Sequence, residues 1–296
     1  MAYHLAVANR KGGVGKSTTA VMLAHSLSVW ASKRVLVIDL DSQCNTSLIL
    51  LGGEGWLKAK KAATTISDYF YDYYDGSMPK ARDYVVPAAG DIKSAKGGSP
   101  TISLLPGSLL LEDVQGELFV KQSAGNADPQ TVGLQVRSRL ERLIRRFDLD
   151  FDVVIMDCAP GLSFAALAAL KTANKVIVPY RPDYVSQFAV DRVAMLIEQR
   201  RSMEEVAEIP FGHRRYLTLA NCVQETPADR FMIDVIEGDH PALMARLPQK
   251  ASISAAFEWR PIRRTIAEKY GDGVDDVRKL YEAIYRVMES QRVAAE

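Results

Sequence analysis

Cysteine is scarce in this chain. Its 296 residues hold three, Cys44, Cys158 and Cys222, far apart and in no C-x-x-C pair. That spacing argues against a zinc or iron–sulfur ligand set and fits a reducing cytoplasm. Long apolar runs are absent too. None approaches the ~18 residues of a spanning helix, and the N-terminus goes straight into a strand, so neither a signal peptide nor a membrane segment is expected. Net charge is nearly nil, 37 Lys+Arg against 36 Asp+Glu. No bulk field drives binding to nucleic acid, and any such contact has to come from a local patch. What remains is a globular composition, 48% hydrophobic and 25% charged, with ample material for a core.

Against that plain background, Lys11 to Thr18 reads KGGVGKST. Gly12, Gly13 and Gly15 put no side chain between the backbone and whatever it wraps, and glycine reaches the positive φ that turns successive N–H groups inward. Around Val14, these groups form a cradle for phosphates. Lys16 adds a positive charge, Ser17 a hydroxyl of the kind that ligates Mg²⁺, and Thr18 a further hydroxyl or N–H for the α-phosphate. The flanks fit. Leu5 to Ala8 is a short apolar strand, and TTAVMLAHSLSVW places Ala20, Leu23, Ala24 and Leu27 on one helical stripe.

Two more strands end in carboxylates. Val35 to Ile38 is a β-branched and leucine run ending in Asp39-Leu40-Asp41, and Phe151 to Met156 ends at Asp157. Such runs suit strands covered on both faces, and their carboxyl ends are where α/β folds hold ligands. Asp157 has the form of a Walker B carboxylate holding Mg²⁺ opposite Ser17. Read from the residues alone, Asp41 is placed to cap the following helix. Further strands are expected at 102–105, 175–179 and 216–220. Helices are expected from Thr65, over Val136 to Phe147, and over Asp275 to Met288. Gly52, Gly53 and Gly55 are expected to break the chain, and 88–100 and 121–133 to be surface loops. Strands alternating with helices give one doubly wound α/β domain over 1–296, with a mostly parallel sheet and helices on both faces.

Lys11 stands inside the loop where the general phosphate-loop template has no lysine. KGGxGK[ST], DLDSQ and DCAPG together resemble the deviant Walker A family of ParA and MinD ATPases. The resemblance is strongest at 3–47 and 151–162. It implies a slow Mg²⁺-dependent ATPase that dimerises around ATP. Lys11 then reaches the partner subunit's nucleotide, Lys16 holds the phosphates, Asp41 handles the attacking water, and Asp39 lies near the Mg²⁺ shell. Asn221, at a strand end, reads the adenine edge, with 179–186 as the other wall. The resemblance further implies non-specific DNA binding, release on hydrolysis stimulated by a ParB-like adaptor, and a cytoplasmic, nucleoid-associated role in plasmid or chromosome partition. A MinD-like switch that binds no DNA is the alternative, although the final helix lacks the basic, bulky-apolar tip of a membrane-surface helix.

Two basic stretches compete as DNA surfaces. In the C-terminal third, Lys250, Arg260, Arg263 and Arg264 cluster, but the arginine usual in the family after its I-P step is displaced, since Gln249, Lys250, Ala251 and Ser252 follow Leu247-Pro248. Arg137, Arg139, Arg142, Arg145 and Arg146 line the helix over 136–147, where a solvated outer face is the plainer reading.

Overall fold

The computed structural model describes residues 1–123, 128–161 and 163–295. Seven strands form one parallel sheet among the described residues: β1 (Tyr3–Val7), β2 (Val35–Leu40), β3 (Ile102–Leu105), β4 (Val153–Cys158), β5 (Lys175–Tyr180), β6 (Tyr216–Val223) and β7 (Ala242–Pro248), in the order β3-β2-β4-β1-β5-β6-β7. The chain runs out from β1 to one edge, returns to β4 beside β1, and then crosses to the other side. The carboxyl end of β1 therefore lies where strand order reverses, the place at which such sheets hold ligands.

Alternation within the strands builds two cores. Leu36 and Ile38 of β2, with Val154 and Met156 of β4, face one side. Val35 and Val37, with Val153 and Ile155, face the other. Because both faces are covered, the strands read as unbroken apolar runs. The first face carries α3 (Ile66–Tyr74), α4 (Leu111–Ser123), α5 (Pro129–Arg145), α6 (Phe164–Thr172), α7 (Tyr184–Glu198) and α9 (Pro227–Asp239), with the short α8 (Met203–Ala207) packed on α7. The second carries α1 (Lys16–Trp30), α11 (Ile266–Tyr270) and α12 (Val274–Ala295), beside α2 (Asn45–Lys61) and α10 (Ala251–Ala255).

Several expectations need correction. α1 is not a one-striped amphipathic helix: Thr19 through Ser28 are all buried, because the sheet, α2, α11 and α12 all pack against it. The expected break at the glycines falls at Gly52 alone, where two helical stretches meet within Asn45–Lys61, while Gly53 and Gly55 continue the second stretch. Gly52 alone departs from helical angles (φ 69°, ψ 168°) and kinks it, and a Cβ there would stand 2.7 Å from the Trp259 indole. The expected loop at 121–133 is shorter, with α4 running to Ser123 and α5 starting at Pro129, capped by the Asp128 carboxylate; 124–127 lie outside the described residues. The loop at 88–100 is only half a surface loop. Ala89 to Ile92 are buried and Ile92 pairs with Arg264, whereas 95–99 are exposed. β7 was not anticipated.

Candidate functional site

The glycine loop connects β1 to α1 at the centre of the sheet's carboxyl edge. Asn9, buried, anchors its start: the side-chain amide donates to the Pro179 carbonyl (2.9 Å) and accepts from the Lys11 N–H (3.0 Å). Gly13 (φ 71°) and Gly15 (φ 88°) take the left-handed conformation that the turn requires. Thr18 Oγ1 donates to the Gly15 carbonyl (2.8 Å), tightening the helix entry. Lys16 Nζ folds back on the Lys11 carbonyl (3.2 Å). Burial pulls the Lys16 ammonium below its usual range, against the opposing charges of Asp157 and Asp41.

Asp39 and Asp157 are register partners on β2 and β4, both fully buried. Asp39 accepts from the Ser47 N–H (2.8 Å), Ser47 Oγ (2.6 Å) and the Asp41 N–H (3.2 Å). Asp157 Oδ2 accepts from Thr46 Oγ1 (2.7 Å), while its Oδ1 is buried with no hydrogen-bond partner. Burial raises both carboxyls above the ordinary range. The neighbouring Asp157 adds to it for Asp39. For Asp157, Asp41 adds to it while the Ser17 and Thr46 hydroxyls and Lys16 oppose it. Two buried, protonation-prone carboxylates beside a hydroxyl, one with an orphaned oxygen, form a donor set suited to a hard divalent cation.

Asp41 does not cap the following helix. Its carboxylate accepts from the Gln43 N–H (2.9 Å), and the cap position of α2 is Cys44, with φ 55°. Gly107 sits against Asp39: a Cβ there would come within 2.8 Å of the carboxylate carbon, and Ser47 Oγ accepts from the Gly107 N–H (2.8 Å). Glycine at 107 is thus a packing requirement in this chain.

The loop, Ser17, Thr18 and Asp41 open into a cleft of about 590 Å³, whose far side is Asn221, Cys222, Pro248, Gln249, Lys250, Ile253 and Phe257. Asn221 is at this cleft, but its amide donates to the Val14 carbonyl (2.8 Å) and its oxygen accepts from the Cys222 N–H (2.9 Å), so it braces the loop. Of 179–186, Arg181 lines the cleft. The other wall comes instead from the end of β7 and α10. Sequence reasoning missed that wall, together with Thr46 and Ser47. A signal for β7 existed: in ALMARLP, Leu243, Ala245 and Leu247 point inward and Met244 and Arg246 outward, at period two.

Lys11 does not point at the cleft's floor. Its ammonium pairs within the chain with Asp183 (2.6 and 2.8 Å), the N-cap of α7, and reaches Ser186 Oγ (3.3 Å). Burial works against the Asp183 charge, but Lys11 and the Ser186 bonds outweigh it and hold its carboxyl low.

The expected C-terminal cation cluster is largely spent internally. Lys250 lines the cleft and pairs with Asp276 (2.7 Å). Arg264 pairs with buried Asp91 (2.8 Å), as does fully buried Lys269. Arg263 donates to Ser99 Oγ (2.7 Å) and to the Ala88 carbonyl (3.3 Å). Only Arg260 of the four keeps an exposed side chain free of such bonds among the described residues. Among the described residues, no helix is long and apolar enough to cross a membrane.

A phosphate loop on a doubly wound parallel sheet, with two strand-end aspartates behind it, defines a P-loop nucleotide-binding protein. A family model described as an AAA domain matches residues 2–208, and the chain belongs to that family. The chromosome partitioning protein ParA of Caulobacter vibrioides is 31% identical over 197 residues, 67% of this chain and 62% of that protein. The chain thus matches less than two thirds of that relative's length. Among solved structures, an ATP complex of McdA from Cyanothece superposes with a TM-score of 0.69 at 20% identity, over 96% of both chains. The septum site-determining protein MinD from Pyrococcus horikoshii, complexed with Mg-ADP, gives 0.64 at 21% identity, over 97% of this chain and 98% of that one. These two likenesses establish the fold.

Proposed function

We propose that this chain is a Mg²⁺-dependent ATPase that joins a second copy of itself around ATP and binds DNA in that state, with hydrolysis stimulated by an adaptor protein ending the cycle. The observation that carries the reading is the alignment of the glycine loop with two paired, buried carboxylates and the unpartnered Asp157 oxygen.

In this reading the loop N–H groups and Lys16 bind the β- and γ-phosphates. Ser17 and Asp157 hold Mg²⁺, with Asp39 behind them; the ion when bound neutralises charge on the phosphates. Asp41, at the cleft rather than on a helix cap, orients the attacking water. Asn221 and the wall from Pro248 to Phe257 enclose the base. Lys11 exchanges Asp183 for the nucleotide of the second copy. The ATP complex of McdA and the Mg-ADP complex of MinD support the ligand assignment. Partition of plasmids or chromosomes is the cellular role supported by the ParA relative.

The test is ATP hydrolysis and ATP-dependent dimerisation, the latter by light scattering. Asp41→Ala is expected to dimerise with ATP yet turn over at least about a hundredfold more slowly. Lys11→Ala is expected to bind ATP as a monomer. An undiminished dimer for Lys11→Ala overturns the trans role. A DNA-binding assay at several salt concentrations with ATP and with ADP tests the DNA arm, and insensitivity to nucleotide counts against it.

A further inference from the structure

The C-terminal cations are mostly engaged internally, several by buried carboxylates, whereas on α5 Arg142, Arg145 and Arg146 meet no carboxylate among the described residues, Arg142 donating only to the Ser138 carbonyl of its own helix (3.3 Å). We propose that the outward face of α5, from Arg139 to Arg146, is the surface on which this protein holds the phosphate backbone of nucleic acid. The proposal rests on the DNA-binding arm of the proposed function and assigns it to a place the sequence pattern did not favour.

Three observations support it. Arg142, Arg145 and Arg146 are exposed, and none pairs with a carboxylate among the described residues. The only acid inside the helix, Glu141, is taken by Arg137 (3.3 Å) and Lys171 (3.1 Å). Beyond the helix end, Asp148 is engaged by His4 (2.6 Å) and Asp150 by Arg82.

Second, the arginines frame a built groove. α3 lays Tyr69 and Tyr73 along α5, and the groove between them is lined by Arg139, Arg142 and Arg146. The Arg139 guanidinium stands 5.7 Å from the Tyr73 ring centre and 5.0 Å from that of Tyr74. The groove floor is the buried pair Phe70 and Leu143. Rings that fix a guanidinium in place lower the entropy lost when it binds an anion.

Third, the spacing suits a polyanion. Seven residues of helix rise about 10 Å, a length over which one duplex strand presents about three phosphates. A basic stripe along one helix face is the electrostatic footprint of nucleic-acid binding. An acidic protein segment fits less well. Within the groove the exposed aromatic is Tyr73, already stacked beside Arg139, and the exposed leucines, Leu134 and Leu149, stand on either side of the stretch from 135 to 148, whereas protein interfaces centre on a cluster of apolar or aromatic anchors.

The position permits simultaneous ATP binding. The Ala2 N–H donates to the Asp148 carbonyl, so the carboxyl end of α5 lies beside the start of β1, at the opposite edge of the sheet from the glycine loop.

The experiment measures binding of the full chain, with ATP and Mg²⁺, to a fluorescent mixed-sequence DNA duplex across a salt series. Arg142→Ala/Arg146→Ala is expected to weaken binding at least about tenfold near physiological salt. It should also flatten the log–log salt slope by about two, one unit for each lost phosphate contact. Arg142→Lys/Arg146→Lys should restore most of it, since a point charge still neutralises phosphate. Unchanged ATP binding and circular dichroism show that the alanine variant is folded. If the alanine pair binds DNA normally while Arg260→Ala/Arg263→Ala does not, this inference is overturned and the proposed function stands. If the wild-type chain binds no duplex in any nucleotide state, both fall. If polyglutamate competes as strongly as DNA, the face is a docking site for an acidic protein and the nucleic-acid assignment is wrong.

Discussion

Single atoms decide how the glycine loop behaves. Gly15 combines φ 88° with a neighbour, Asn221 Nδ2, only 2.1 Å from where a Cβ would stand, whereas Gly12 has no positive φ and nothing within 4 Å. Gly15→Ala is therefore expected to lose at least about 1–2 kcal/mol from backbone conformation alone, plus the bracing of Val14, and with it nucleotide binding. Gly12→Ala should leave the melting temperature almost unchanged. Thermal unfolding of the two variants, followed by nucleotide titration, checks the contrast. Asp183 offers a second prediction. Asparagine keeps the α7 cap but removes the charge that holds Lys11. Asp183→Asn is expected to dimerise at lower ATP concentration than the wild type, measured by light scattering. An unchanged or weakened dimer would show that the internal pair does not compete with the trans contact. The loop residues were legible because their signal is local: a turn that needs glycine, beside a charge that needs phosphate. Asn221 was only half legible. Its strand-end position was readable, but the carbonyl that its amide meets lies 207 residues earlier.

At the scale of elements, the strands that end in Asp39 and Asp157 could be read in advance, since strands buried on both faces spell themselves as apolar runs. β7 could not be read so easily, because its alternation belongs to a sheet edge. Long-range pairing was invisible. Nothing near Arg264 or Lys269 announces Asp91, more than 170 residues away in sequence, which ties the loop after β2's helices to α11. Asp91 is almost fully buried, and burial alone raises a carboxyl; the bonds and charges of Lys269 and Arg264 outweigh this and hold it below its ordinary range. A depressed carboxyl contributes its full stability above the unfolded value of about 3.9, and loses it as pH falls through the lower folded value. Asp91→Asn is expected to lose about 3–5 kcal/mol at neutral pH, because two cations stay buried without their partner. The gap to the wild type should narrow below about pH 4. Urea unfolding at a series of pH values measures both effects, and a gap that stays constant into acid would contradict the ion-pair account.

The whole molecule is a sheet with a core on each face and its ligand groups gathered at one edge. Those groups come from β1, β2, β4, β6 and β7, so a ligand in the cleft joins segments from residue 12 to residue 257. Binding should therefore stabilise the chain as a unit. A non-hydrolysable ATP analogue with Mg²⁺ at a hundred times its dissociation constant is expected to add about 2.7 kcal/mol. This would appear as a single shifted melting transition, and Lys16→Ala should show no shift. A transition that splits instead, with only one part moving, would mean that the β6–β7 wall does not hold the ligand. Fold class was legible at this scale because alternating strands and helices leave few arrangements. The partner of the basic surface was not, since a net charge of +1 hides which cations are already neutralised inside.

The kink in α2 gives the protein a native optical gauge. The bare backbone at Gly52 rests on the Trp259 indole, and α2 starts only a few residues after Asp41. When the cleft fills, any shift of that helix presses on or frees one indole that is 39% exposed. With Trp30 and Trp56 replaced by Phe, the emission of Trp259 is therefore expected to change when a nucleotide fills the cleft.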